Sequence, residues 1–167
     1  TKTDGTLWGW GEGFYGTLGL NQGGPSGMVS SPKQVPGTNW STIISSAYYG
    51  HTISTKTDGT LWTWGQNYGR GALGQNVGGP STTGSLSSPT QVGSGTDWDN
   101  AVAAGRFSGA AIKTDGTLWT WGANYFGMLG QNSGQMKSSP TQIPGKWGEV
   151  SPCAGVTSGY LGQRIYS

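Results

Sequence analysis

Charge is scarce in this sequence. Nine Lys and Arg stand against seven Asp and Glu, 10% of 167 residues, for a net charge of +2. The basic residues are scattered, which excludes the clustered positive face that sequence-independent nucleic-acid binding requires. Cys153 is the single cysteine, so an intrachain disulfide and a Cys-rich metal site are both excluded. His51 is the single histidine and reads as a structural residue; no G-x-S-x-G elbow accompanies it to supply the nucleophile that Ser-His-Asp catalysis needs. Carboxylates are equally sparse. Asp4, Asp58 and Asp115 are explained as turn residues, while Glu12, Asp97, Asp99 and Glu149 recur in no consistent pair of the sort glycoside hydrolysis uses. Asp97-Trp-Asp99 lacks the following ligand series of a calcium loop, and no glycine cluster leads into the Lys-Ser/Thr of a phosphate loop. No apolar run approaches the length of a membrane helix, no leader peptide is visible, and no segment has helical periodicity. These absences point to a chain that is not an enzyme and that takes no cofactor, metal, nucleic acid or membrane.

Glycine, proline and tryptophan are abundant instead. The 33 glycines and 8 prolines form roughly a quarter of the chain, close to the range of disordered sequences. Nine tryptophans argue for order, because large rings need burial or a ligand. The glycines also fall at fixed places in a repeat. Lys56-Thr-Asp-Gly-Thr-Leu-Trp-Thr-Trp-Gly65 recurs unchanged at Lys113–Gly122, and again at Lys2–Gly11 with Gly9 in place of Thr. Such spacing signifies one supersecondary unit in three copies, approximately 2–55, 56–112 and 113–167, within a single domain.

Within a copy, the β-prone segment His51–Lys56 and the segment Leu61–Trp64 flank Asp58-Gly59. That pair predicts a hairpin in which both turn residues take φ > 0. Strand alternation places Trp62 and Trp64 on one face. A glycine-rich stretch ending in Leu73-Gly74 follows, then a variable loop and Ser87-Ser88-Pro89, whose proline marks a strand start or an edge. A third tryptophan recurs at Trp40, Trp98 and Trp147 ahead of the next strand. Each unit offers about four short antiparallel strands, the content of one propeller blade. The fold class is all-β, a β-propeller with about three blades in this chain.

The order Asp-Gly-Thr-Leu-Trp-x-Trp-Gly, then Asn124-Tyr-Phe-Gly127-Met-Leu-Gly130, then Ser-Ser-Pro-x-Gln-Val resembles the regulator-of-chromosome-condensation repeat. The resemblance spans nearly the whole chain and implies a β-propeller, commonly of seven blades. It departs at Ser108 and Ser158, which stand where His51 fits the family pattern. It departs also at Gly13, where Asn67 and Asn124 stand in the other copies, and in the fading end Gln163–Ser167. Three blades are too few for a closed ring. The expected completions are a longer propeller of which these residues form the C-terminal part, or two chains closing six blades. Other blades of the same propeller, on the same or another chain, are thus the first expected partners.

Near-identical blades suit multivalent attachment better than one asymmetric catalytic centre. Candidate ligand-binding residues are the loop aromatics Phe14, Tyr15, Tyr68, Tyr125 and Phe126, with the variable group Tyr48, Tyr49, Arg106 and Phe107. Short Trp-rich repeats of this type look like those of bacterial surface and phage virion proteins. The resemblance therefore implies adhesion or structural attachment, to a surface glycan or a virion protein, in an extracellular, virion or cell-surface setting. A ligand-free architectural spacer is the alternative. Nucleotide exchange on a small GTPase, the activity of the family's founding member, comes last, because no wedge-like insertion interrupts the repeats.

Overall fold

The ten-residue repeat folds as a hairpin stitched by its Asp, Thr and Trp side chains. In a computed structural model, which describes residues 1–46, 50–77, 84–152 and 160–164, β4 (His51–Lys56) and β5 (Leu61–Gly65) are antiparallel neighbours. The Gly59 amide donates to the Lys56 carbonyl at 3.0 Å, and the Lys56 amide donates to the Thr60 carbonyl at 3.0 Å. Gly59 has φ +78°, whereas Asp58 is not at positive φ. The loop is therefore a three-residue turn with a glycine bulge, not the turn with two residues at positive φ predicted for Asp-Gly. Asp58 earns its place as an acceptor. Its carboxylate takes the Thr60 amide at 3.1 Å and the Thr60 hydroxyl at 2.6 Å, and the Thr60 oxygen in turn accepts Trp62 Nε1–H at 2.7 Å.

The same relay recurs through Asp4, Thr6 and Trp8 and through Asp115, Thr117 and Trp119. The threonine side chain is the leading cause that holds the Asp58 carboxyl below its ordinary range; the same bonds act on Asp4 and Asp115. The lysine that opens each repeat lies over the indole, Lys2 3.8 Å from the Trp8 ring centre, Lys56 4.1 Å from Trp62 and Lys113 5.0 Å from Trp119. An ammonium over the negative face of an indole contributes about 0.5–1 kcal/mol at an exposed site.

Hydrogen bonding groups the strands into antiparallel sheets. β3 (Trp40–Ser46), β4, β5 and β6 (Leu86–Gln91) form one four-stranded sheet. β7 (Trp98–Ala104), β8 (Ser108–Lys113), β9 (Leu118–Gly122) and β10 (Lys137–Ile143) form the next. Two half-sheets flank them: β1 (Trp8–Gly11) with β2 (Val29–Gln34), and β11 (Trp147–Pro152) with β12 (Tyr160–Arg164). The sheets are offset by half from the sequence repeat, since the Asp-Gly hairpin joins the two middle strands. Pro89 and Pro140 sit in β6 and β10, the outermost strands, where a missing N–H costs no ladder bond. Helical structure among the described residues is confined to short 3-10 turns at Gly24–Gly27 and Tyr125–Gly127.

The core lies between sheets. Ile53, Leu61 and Val92 of one blade pack with Trp98, Val102, Ala111 and Trp121 of the next. Trp64 and Trp121 are almost completely buried, and each donates its Nε1–H to a backbone carbonyl of the preceding blade, Thr17 at 2.9 Å and Ala72 at 3.0 Å. Trp40 meets Trp62 and Trp64 edge-on with ring centres 5.9 and 5.6 Å apart, and Trp98 meets Trp119 at 6.2 Å. The tryptophan pairs thus share one sheet face, as strand alternation predicts. β3 and β4 pack against β7, and β7 and β8 against β11, which is the side-by-side stacking of propeller blades.

Candidate loop-face binding site

The loops that leave the sheets at the His51 and Gly65 end, opposite the Asp-Gly turns, are held by asparagines. Asn67 Oδ1 accepts the Leu73 amide at 3.1 Å while its amide group donates to the Val77 carbonyl at 2.8 Å. Asn124 repeats the arrangement, accepting the Leu129 amide at 3.0 Å and donating to the Ser133 and Gln135 carbonyls. Both are buried, so each loop is pinned from beneath by a satisfied amide. In the first copy a Cβ on Gly13 would fall 2.4 Å from the Gly27 carbonyl oxygen, which leaves no room for Asn there.

Pinning the loops lifts their aromatics outward. Tyr68 and Phe126 are held at φ +54° and +56°, a left-handed conformation uncommon for bulky residues and often found at functional sites. Tyr68 meets Phe107 of the next blade edge-on at 4.9 Å. The exposed guanidinium of Arg70 lies 4.8 Å from the Tyr125 ring centre and 5.7 Å from that of Phe107, and Arg106 lies 4.7 Å from Phe107. Tyr125 is half-exposed, and Phe126 beside it is 92% exposed.

Of the residues expected from sequence to bind a ligand, Tyr68, Arg106, Phe107 and Tyr125 therefore come together across two blades, with Phe126 alongside. Phe14 and Tyr15 form their own edge-on pair at 5.0 Å, both exposed, on the first half-sheet. A Cβ on Gly50 would lie 3.8 Å from Tyr15 and 4.0 Å from the Tyr68 hydroxyl, so the two aromatic groups flank one point. Tyr48 and Tyr49 lie outside the described residues. Arg70 was not foreseen. Its signal is that it stands alone as a charge inside a glycine-rich loop.

His51 is completely buried between the two full blades, and burial pushes its pKa down to about 4. The backbone of Ser108 opposes the shift without cancelling it. The described residues contain no group of three His, Cys, Asp or Glu side chains placed to hold a metal ion.

The profile of the regulator of chromosome condensation (RCC1) repeat matches residues 4–55 and 115–160, and a second profile of that repeat matches 100–127. The chain belongs to the RCC1 repeat family. It is 34% identical over 146 residues to the RCC1 domain-containing protein RUG3, mitochondrial, of Arabidopsis thaliana, across 84% of this chain and 31% of that protein. To the ultraviolet-B receptor UVR8 of the same plant it is 32% identical over 147 residues, across 84% of this chain and 30% of the receptor. The chain thus spans about a third of the length of these RCC1 relatives. The crystal structure of Prp20p from Saccharomyces cerevisiae, reported with its binding properties to Gsp1p and histones, superimposes with a TM-score of 0.80 at 19% identity, over 99% of this chain and 41% of Prp20p. That likeness shows the RCC1 propeller fold.

The relatives correct one expectation. The extracellular, virion or cell-surface setting is overturned, because the RCC1 proteins that resemble the chain are a mitochondrial protein and a histone-binding one. The physical reason is that the many indoles serve blade stacking, which is the same in any compartment.

Proposed function

We propose that this chain is a non-catalytic binding segment of a propeller that engages a protein partner through its loop face. The observation that carries the reading is Arg70, a cation suspended between Tyr125 and Phe107 on an exposed rim that two blades build together. Aromatic rings and arginine are the side chains that most often dominate protein interfaces, since they bury much area with little loss of freedom. Their pinned loops and the left-handed Tyr68 and Phe126 pre-organise that surface. The cationic groups fit a partner that presents carboxylates beside apolar groups. Catalysis is disfavoured by the one histidine being sealed between blades with its pKa near 4.

Prp20p supplies the first probes, a Gsp1-type GTPase and histones. Binding of each to the immobilised chain is measured by surface plasmon resonance, with a glycan array run beside it. A protein that binds is expected to lose roughly tenfold in affinity with Arg70→Ala or Tyr125→Ala, the scale of one desolvated cation–aromatic contact. Protein binding that survives both substitutions sinks the loop-face reading. Glycan binding that depends on the same residues replaces the protein partner with a sugar. Accelerated nucleotide release from the GTPase would extend the role to regulation.

A further inference from the structure

The indole N–H groups of this chain are nearly all engaged, with one class of exception. Trp8, Trp62 and Trp119 donate to threonine hydroxyls, and Trp64 and Trp121 to carbonyls of the preceding blade. The third tryptophan of each copy, Trp40, Trp98 or Trp147, buries its Nε1–H with no hydrogen-bond partner among the described residues. A buried donor left unpaired loses its hydration and gains nothing in return, so such a group calls for an acceptor from outside the chain. At Trp98 there is room for one. Between the two four-stranded blades lies a cleft of about 360 Å³, a small-ligand size, whose lining includes Gln75, Asn76, Gly95, Trp98, Lys113 and Pro140.

Trp98 is 7% exposed, and its donor faces a defined point in that cleft. A Cβ on Gly95 would lie 3.4 Å from Trp98 Nε1 and 3.1 Å from Asp97 Oδ1, with no other atom beyond its chain neighbours within 4 Å. Asp97 Oδ2 is engaged by the Lys113 ammonium at 3.1 Å, which leaves Oδ1 as an acceptor. Gln75 donates its amide hydrogens to the Thr63 hydroxyl at 3.1 Å and the Thr90 carbonyl at 3.2 Å, leaving its Oε1 to accept. Asn76 Oδ1 takes the hydroxyls of Ser138 and Ser139, leaving its amide hydrogens to donate.

The cleft forms where this copy departs from the other two. Val35-Pro36-Gly37-Thr38-Asn39-Trp40 and Ile143-Pro144-Gly145-Lys146-Trp147 each carry a proline, whereas Val92-Gly93-Ser94-Gly95-Thr96-Asp97-Trp98 is longer and has none. Gln75 stands in the place of Leu20, which packs in the apolar cluster of Val35 and Trp40. Beside Trp40 the matching space is taken by a lysine, since a Cβ on Gly37 would lie 3.3 Å from Lys56 Nζ. Beside Trp98 the carboxylate of Asp97 replaces the amide of Asn39 and holds the Lys113 ammonium, and no lysine atom comes within 4 Å of the Gly95 position.

We infer that the cleft between the two complete blades binds a neutral sugar, held at Trp98 Nε1 and Asp97 Oδ1. An indole N–H only donates and a carboxylate oxygen only accepts, and a hydroxyl satisfies both through a single atom. Neighbouring hydroxyls of the same ring meet the Gln75 oxygen and the Asn76 amide, while the Pro140 ring and the indole edge receive the C–H face. A carboxylate or phosphate ligand would meet the like charge of Asp97, and an ammonium ligand would meet Lys113 and the indole N–H. A peptide amide splits donor and acceptor between two atoms and fits the single point less well. The cleft shares no lining residue with the Tyr68, Arg70 and Tyr125 rim, so the two sites are independent.

The test follows the proton–nitrogen resonances of the indoles while glucose, galactose, mannose, lactose or maltose is added, with acetate and glycylglycine as anionic and amide controls. Each is taken to about 50 mM, above the millimolar dissociation constants that a few hydrogen bonds produce. The expected result is a saturable shift of the Trp98 resonance by at least one sugar, with Trp64 and Trp121 unmoved. Asp97→Asn and Gly95→Ala should each weaken that binding roughly tenfold, the scale of one lost hydrogen bond to a charged group. Asn39 already stands in the place of Asp97, and Gly95 is not at positive φ, so both variants suit the fold, which circular dichroism checks. No shift with any of the five sugars overturns the inference and leaves water as the partner of the indole. So does a shift indifferent to both substitutions, or one that acetate or glycylglycine produces equally well.

Discussion

At the scale of single residues, buried polar groups carry the strongest consequences. His51 keeps a pKa near 4 in the folded chain against an ordinary value of 6.5, because burial disfavours the charged ring. The unfolded chain therefore takes up a proton first as the solution is acidified. Its stabilising contribution is complete above pH 6.5 and is lost as pH falls from 6.5 towards 4, an effect of about 3 kcal/mol. Thermal unfolding followed from pH 7.5 to 4 should show a falling midpoint in that window, and His51→Gln should flatten it. The Asp58 carboxyl titrates below its ordinary value of 3.8, so its contribution disappears only at lower pH and leaves the histidine window clear. Sequence reasoning identified His51 as structural and Asp58 as a turn residue. It could not see that Asp58 acts through Thr60 on an indole, because alternation reveals which face a side chain takes and not which atom it touches. The recurrence of Lys2, Lys56 and Lys113 ahead of each turn was visible, and their positions over the indoles explain it.

At the scale of elements, strands and loops depend on different interactions. The Asp-Gly hairpins, the tryptophan-bearing strands and the proline-bearing edges were legible, since period, turn chemistry and proline each have one dominant cause. Loop shape was not, because it rests on amides that reach across several residues. Asn124 is the clearest case: buried, it satisfies the Leu129 amide and two carbonyls at once. Replacing it with Ala leaves those groups unpaired, at about 1–3 kcal/mol for each one that water cannot reach. Chemical denaturation should show Asn124→Ala destabilised by at least 2 kcal/mol, with the loop carrying Tyr125 and Phe126 exposed to proteolysis. Asn132→Ala, whose side chain is exposed, should cost only about 1 kcal/mol, the strain of holding Ala at φ +50°. Equal losses for the two would mean that Asn124 is not the pin of its loop.

At the scale of the whole molecule, stability follows from neighbours. Blades that touch only those beside them unfold approximately as a one-dimensional array, so sheets with two neighbours outlast those at the ends. Native-state hydrogen exchange should find β4, β5, β8 and β9 the slowest and β1 among the fastest in dilute protein. Uniform protection across the strands would contradict that expectation. The number of blades was readable from the copies of the repeat, but their phase was not, because copies in sequence begin at the hairpin whereas sheets begin at Trp40, Trp98 and Trp147. That stagger resembles overlapping courses of brick. Each whole sheet is woven from two successive copies, β3–β4 ahead of the turn and β5–β6 after it. A duplication or loss of one copy in the gene thus lengthens or shortens the wall by one course without ever creating a loose one, and the same pair of unfinished edges is passed on to the new length.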